Sequence, residues 1–309
     1  MRHVDTVTMQ PNRRKVLSGG LAVPAALGVA ATSSLPTVKL GSHTISKLIV
    51  GGNPVSGNSH VSRELSREMT DYFSAANVKK LLRDCEQAGI NAWQSRGDVH
   101  IRRLLHEYRL EGGRIQWIAQ TASEYGSIPR NIQEAAATGA IAIYHHGSKT
   151  DSLWKAGDIE EAREMLKVMR QTGVQVGLGT HIPEVIDYVE SKAWDVDFYM
   201  TCDYNISRSR VDAAKLAGGK PEGEFFWDPD RETMLERVRQ TRKPCLIFKV
   251  YGASRKCGSR EQMLDALRLA CRYAKPTDAV VIGMFPKYKE QVRENCRLLM
   301  DALAEARTS

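Results

Sequence analysis

From residue 37 onward, short apolar runs alternate with stretches in which apolar side chains recur every three or four positions. Runs of that length, rich in Val, Ile and Leu, predict buried strands, and the three-to-four recurrence predicts amphipathic helices. The strands fall at 48–52, 90–94, 115–121, 140–145, 174–178, 197–201, 244–250 and 279–284. Helical patterns separate them at 74–88, 98–111, 128–138, 159–171, 183–193, 229–240, 260–274 and 287–306. Several helices stop at glycine, as in Ala88-Gly89, Thr138-Gly139 and Thr172-Gly173, where a left-handed residue ends the ladder. Ahead of the first unit, residues 38–48 alternate about Gly41-Ser42 and predict a β-hairpin.

Eight strand–helix units predict an α/β protein, a (β/α)8 TIM barrel with an N-terminal hairpin, as one domain over 37–306. No GxGxxG follows the first strand, which weighs against an open Rossmann sheet. The two longest connections, 53–73 and 203–228, read as irregular and follow the first and sixth strands. Barrel enzymes build their sites on that side, so these segments are expected to cover a pocket.

Before the barrel the pattern differs. Arg13-Arg14-Lys15 precedes a weakly apolar stretch, 17–31, interrupted by Gly19, Gly20, Pro24 and Gly28. It is too short and too polar to span a bilayer, which takes about 20 apolar residues. Residues 1–31 resemble a twin-arginine signal ending in the small residues Val29-Ala30-Ala31. The expectation is an exported, periplasmic or otherwise extracytoplasmic protein whose partners are the export machinery and a small-molecule substrate, without stable membrane insertion. Part of the formal net charge of +8 lies in this segment, and the remaining basic residues are scattered among acids. No concentrated basic stripe suggests nucleic-acid binding. The six cysteines lack a CxxC pair, which disfavours a zinc ribbon. Cys85, Cys271 and Cys296 fall within helical patterns and read as buried free thiols.

Two groups carry the chemistry that the residues suggest. Lys249 ends the apolar run 245–250, where a lysine facing the mouth would lose solvent and become a base, an amine nucleophile or a fixed cation. Histidines cluster at strand ends: His60, His145, His146 and His181. Neighbouring strand residues point to opposite faces, so His145 and His146 cannot both enter a regular barrel mouth. Asn53, Gln94, Arg96, Gln120, Asn205, Tyr144 and Tyr251 are positioned to line a pocket suited to a carbonyl-bearing or polyhydroxylated ligand. The segment 255–260 reads equally as an anion site or a solvated loop.

The hairpin, then Leu48-Ile49-Val50-Gly51-Gly52 and Ala88-Gly89-Ile90-Asn91, resembles the opening of the aldo/keto reductase superfamily. The resemblance continues through Tyr144-His145-His146-Gly147, Met169-Arg170-Gln171-Thr172-Gly173, Asp195-Val196-Asp197 with Tyr204-Asn205, Val281-Ile282-Gly283-Met284 and Gln291-Val292-Arg293-Glu294-Asn295. It implies carbonyl reduction with NADP, a catalytic histidine at His146, and cofactor contacts at Gly283, Gln291 and Asn295. The family's Asp, Tyr and Lys do not carry over. Gln94 stands in the aspartate's place, no tyrosine follows at the expected spacing, and Gln120-Thr121-Ala122 holds no lysine. A missing proton donor costs about 10²- to 10⁴-fold. The chain more closely resembles a branch of exported, reductase-like barrels carrying Gly-Gly-Asn-Pro…Ser-His after the first strand and Phe-Lys on the seventh, here 51–60 and Phe248-Lys249.

Three readings follow. The leading one is an oxidoreductase-like enzyme acting on a small carbonyl or polyol, with His146, Lys249 and Tyr144 as catalytic groups and Asn53, Gln94, Arg96, Gln120 and Asn205 holding the substrate. The second is a lyase, isomerase or hydrolase holding a divalent metal on His60, His146 and His181, with Cys202, Asp203 or Glu124 as further ligands. The third is a ligand-binding barrel without catalysis.

Overall fold

The computed structural model describes residues 35–306 apart from Ser123. The expected signal at 1–31 lies outside the described residues. The hairpin forms as predicted: β1 (Thr37–Leu40) pairs with β2 (His43–Ser46) in antiparallel register. The barrel strands are β3 (Leu48–Gly51), β4 (Ala92–Arg96), β5 (Gln116–Gln120), β6 (Ala140–His145), β7 (Gln175–Thr180), β8 (Phe198–Cys202), β9 (Cys245–Phe248) and β10 (Ala279–Gly283). Each runs parallel to its neighbours, and β10 pairs back onto β3 with Val281 opposite Ile49. The predicted TIM barrel is therefore closed.

Helices α2 (Ala75–Gln87), α3 (Val99–Leu110), α4 (Ile128–Ala137), α6 (Glu160–Gln171), α7 (Pro183–Ser191), α9 (Pro229–Gln240), α10 (Arg260–Tyr273) and α11 (Val292–Ala306) form the outer layer. The predicted stops at Gly89, Gly139 and Gly173 all take positive φ. Three helices escape the sequence reading: α1 (Arg63–Tyr72), α5 (Gly147–Ala156) and α8 (Arg210–Ala217). Two of them lie in the connections expected to be irregular. Ser62 and Ser209 cap them by accepting from the N–H groups of Leu65 and Asp212. The last helix begins later than expected. Gln291 accepts from the Phe285 N–H and folds 285–291 into a loop, and Glu290 accepts from the Arg293 N–H.

Two apolar layers hold the molecule together. The larger lies between the barrel wall and the helices. The smaller fills the barrel with Ile49, Ile118, Tyr144, Phe198, Met200, Leu246 and Val281, and continues into Val38, Leu40 and Ile45 of the hairpin. The hairpin thus plugs the N-terminal end of the barrel, leaving the opposite rim for chemistry. Strand β7 contributes Gly177 and Gly179 to this interior. A Cβ on Gly177 would stand 2.3 Å from Phe198 Cζ, and one on Gly179 would stand 3.2 Å from Tyr144 Cδ2. Two large rings from neighbouring strands fill the space these glycines leave. Gly177→Ala is expected to overpack this layer and lower stability by about 1–3 kcal/mol. The midpoint of denaturant unfolding measures it.

Candidate active site at the C-terminal mouth of the barrel

Strand β9 ends at Phe248, and the next residue turns away from the strand path. Lys249 takes φ of 61°, a left-handed conformation that costs a side-chain-bearing residue about 1–3 kcal/mol. Its side chain lines a cavity of about 280 Å³ at the mouth. Among the described residues the buried Nζ has neither a hydrogen-bond nor an ion-pair partner. The Phe226 ring centre lies 5.6 Å from the Nζ. Burial pushes the amine below lysine's ordinary range and nearby Arg255 adds to the effect, while Cys202 and Glu224 oppose it. The sequence left open whether this lysine faces outward. It faces the cavity.

Of the two long connections expected to cover the pocket, the first lines the cavity with Asn53, Asn58, Ser59 and His60, and the second joins the first from outside that wall. From the first, Asn53 donates to His60 Nε2 at 3.1 Å, and His60 Nδ1 donates to Glu224 of the second at 2.8 Å. Arg255 lies flat against Phe226, 3.9 Å from its ring centre, and donates to the carbonyl oxygens of His60 and Glu224. Lys256 pairs with Asp228. These two cations of the 255–260 segment therefore tie the cover together. The cavity runs from Gln94 and Phe248 outward past Asn53 and Lys249 to an apolar end at Leu65, Met69, Met263 and Phe285.

A second sector of the rim lies above β6 and β7. His145 packs outward, its Nδ1 against Thr150 Oγ1 at 2.8 Å. His146 follows the strand end as the N-cap of α5, and its buried Nδ1 has no partner. Burial, with His181 and Arg96 close by, lowers its pKa to about 4, so the ring is neutral at pH 7. His181 Nδ1 donates to Asp151 Oδ2 at 2.6 Å, and both side chains are almost fully buried. Burial alone would raise the Asp151 carboxyl, but His181, Ser207 and Thr180 together hold it below the ordinary aspartate range. Arg96 pairs with Glu124 at the rim.

Between the sectors, three strands each supply one polar side chain to the barrel axis. Gln94 donates to the Tyr144 hydroxyl at 2.7 Å, and that hydroxyl donates to Gln120 at 2.8 Å. Full burial drives the Tyr144 pKa far above its ordinary value, so it is a fixed neutral donor and no readily ionised acid. Asn205 stands apart: its N–H is held by Asp230, and its side-chain oxygen is buried without a partner.

Several expectations change. His60, His146 and His181 do not form the expected metal set: among the described residues no group of three or more His, Cys, Asp or Glu is arranged to hold an ion. Both His60 nitrogens are occupied by Asn53 and Glu224, and His181 Nδ1 by Asp151. Asp203 points outward to Arg231, where the pair is buried and structural; burial opposes that pairing and raises the carboxyl to about 6. Gly283, Gln291 and Asn295 do reach the cavity wall. Yet Gln291 is bonded to Phe285, and Asn295 to Tyr251 and the Gln291 carbonyl. Glu294 shares that wall with Lys289, its ion-pair partner. None of Gly283, Gln291, Asn295 and Glu294 carries the positive charge that the phosphates of NADP take, and the cation beside them, Lys289, is paired with Glu294. Of the expected site residues, the cavity gathers Asn53, His60, Gln94, Lys249, Tyr251, Gly283, Gln291 and Asn295. Arg96, Gln120, Tyr144, His146, His181 and Asn205 are not in its wall. All six cysteines are free, with Cys85 and Cys271 buried and Cys296 half-buried. Asp151, Ser207, Glu224 and Phe226 had no sequence signal, because they lie on the unread α5 and in the loop after β8.

The chain matches no described protein family and no curated protein. Among solved structures it is similar to a truncated 3-deoxy-D-arabino-heptulosonate 7-phosphate synthase from Thermotoga maritima, with TM-score 0.53 and 11% identity over 89% of this chain and 93% of that one. It is also similar to the holo form of an aldo-keto reductase from Bacillus halodurans, with TM-score 0.51 and 12% identity over 89% and 96%. At such identities the likeness establishes the (β/α)8 barrel, with aldo-keto reductases as one of the barrel groups it resembles. No described helix is long and apolar enough to cross a membrane.

The buried histidines make stability depend on acid. Burial lowers His145 to about 4 from 6.5, and His146 likewise. An unfolded chain therefore binds these protons first, and stability falls as pH drops from about 6.5 toward 4, by up to about 3 kcal/mol per ring. Unfolding midpoints across that range should show the loss, and His145→Gln should remove its own share.

Proposed function

We propose that this chain is an enzyme acting on a small carbonyl compound at the barrel mouth, with the Lys249 amine at the centre of its chemistry. One observation carries the reading: a buried lysine nitrogen without hydrogen-bond or ion-pair partner, held in a strained backbone conformation against a cavity. A desolvated amine is neutral for more of the time near pH 7, and a neutral amine attacks carbonyl carbon. Addition forms an N–C bond. Proton transfer to the former carbonyl oxygen and departure of water then leave an iminium, which withdraws electrons from the neighbouring carbon. Asn53 and Gln94 on the cavity wall suit the hydroxyls of a sugar-like compound, and neutral His146 is available as a donor at the rim. Hydride reduction has less support, since the reductase Asp, Tyr and Lys are missing.

The test is reductive trapping. Protein is incubated with glyceraldehyde, dihydroxyacetone or pyruvate, then with borohydride, and the peptides are weighed by mass spectrometry. The expected result is one adduct on the peptide holding Lys249, absent in Lys249→Met. Equal labelling of surface lysines in both proteins would reject the reading. Export by the twin-arginine route belongs to the same proposal and rests on Arg13-Arg14 before 17–31. Replacing both arginines by lysine should retain the precursor in the cytoplasm, read by fractionation.

A further inference from the structure

The Lys249 amine accounts for one sector of the rim and, apart from His146, leaves the other without a task. There, Asp151 sits on α5 with its carboxylate saturated from within the fold. Thr180 Oγ1 donates to one oxygen at 2.6 Å, and Ser207 Oγ at 2.5 Å and His181 Nδ1 at 2.6 Å donate to the other. Burying a carboxylate this deeply costs several kcal/mol unless it is fully bonded, so the arrangement fixes three partners at once. For His181 the consequence is specific. The carboxylate takes a proton from Nδ1, so in the neutral ring Nε2 is the lone-pair acceptor, and it has no hydrogen bond among the described residues. That nitrogen is not among the fully buried unpartnered atoms, so it keeps contact with solvent.

The ring's place is also specific. His181 directly follows β7, at the level of Cys202 on β8 and Phe248 on β9, which pair with each other across the sheet. Its ring stands edge-on to Phe248 with centroids 5.5 Å apart, and Phe248 lines the cavity beside Lys249. Gly147 opposite leaves the room it needs, since a Cβ there would stand 3.2 Å from His181 Cε1. The charged or titratable groups around it are Asp151, His146 and Glu224, and Glu224 in turn faces Lys249.

We infer that His181, oriented by Asp151, is a second catalytic group of this mouth, whose Nε2 removes and returns a proton on the carbon next to the substrate carbonyl. The step rests on the small-carbonyl reading above. The C–H bond breaks, its electron pair moves into a new C=C bond, and the C=N or C=O electrons move onto nitrogen or oxygen. The imidazolium then returns the proton, so the cycle needs no oxidant or reductant. His181 stands outside the wall of the Lys249 cavity, against the Phe248 ring that lines it, and meets the part of the substrate that extends past that ring; Asp151 and Ser207 are positioning residues. The reaction class is lyase or isomerase chemistry through an enamine or enol.

Deuterium exchange at the carbon next to the carbonyl of dihydroxyacetone or pyruvate, followed by NMR in D2O, tests the step alongside borohydride trapping. His181→Asn keeps a side-chain donor toward Asp151, and its unfolding midpoint shows that the fold survives. It should lower the exchange rate at least 100-fold while leaving the Lys249 adduct in place. Asp151→Asn should lower the saturated exchange rate without changing the half-saturating probe concentration, because it turns the imidazole tautomer without touching the probe. Adduct formation with exchange indifferent to His181→Asn overturns the role of His181 and leaves the amine reading intact. Exchange that depends on His181 without any adduct supports His181 and overturns the amine. A wild-type protein that gives neither overturns both.

Discussion

A parallel sheet closed on itself has an inner face that its own side chains must fill, and every feature of this protein's mouth follows from how that is done. Small and large residues alternate around the wall: Gly177 and Gly179 make room for Phe198 and Tyr144. The hairpin residues Val38, Leu40 and Ile45 close the N-terminal end of the same apolar column. Polar side chains on the axis are then tolerated where they bond to one another, as Gln94, Tyr144 and Gln120 do. Above that layer the apolar filling stops, and side chains from strand ends and loops meet.

Desolvation does different work on the two sides of the rim. Beside β9 it leaves an amine uncompensated, with an aromatic cover in place of a carboxylate partner. Beside β7 it surrounds a carboxylate with donors, and so holds an imidazole in one orientation. The first arrangement lowers the amine's pKa, and the second fixes the direction in which the imidazole faces. Glu224, paired with His60 on the covering loops, faces both sectors and links them electrostatically. The covers are themselves held by charge: Arg255 spans both connections.

The barrel was legible because its signal is periodic and repeated. Each strand is an apolar run, each long helix an amphipathic stripe, and eight repetitions in order leave little topological freedom. Two of the missed helices are the exceptions that periodicity predicts, whereas α1 is strongly amphipathic and was hidden within a connection read as irregular. Helices α5 and α8 are short and polar, and the tertiary contacts of their neighbours stabilise them more than any stripe of their own. Lys249 could be singled out as an isolated cation in an apolar run, yet its backbone turn at φ of 61° and its direction could not be read locally.

The order of strands and helices, the strand-end positions of His146, His181 and Lys249, and the absence of the reductase Asp, Tyr and Lys are properties of the chain alone. They depend on residue type and spacing, which need no neighbour to be defined. Which of those residues meet was decided only by closure of the barrel and the folding of two long connections over it. Asp151 and His181 are 30 positions apart, and His60 and Glu224 are 164 apart. Hydrogen bonding and burial act through space, so a partner that far along the chain leaves no mark on local pattern.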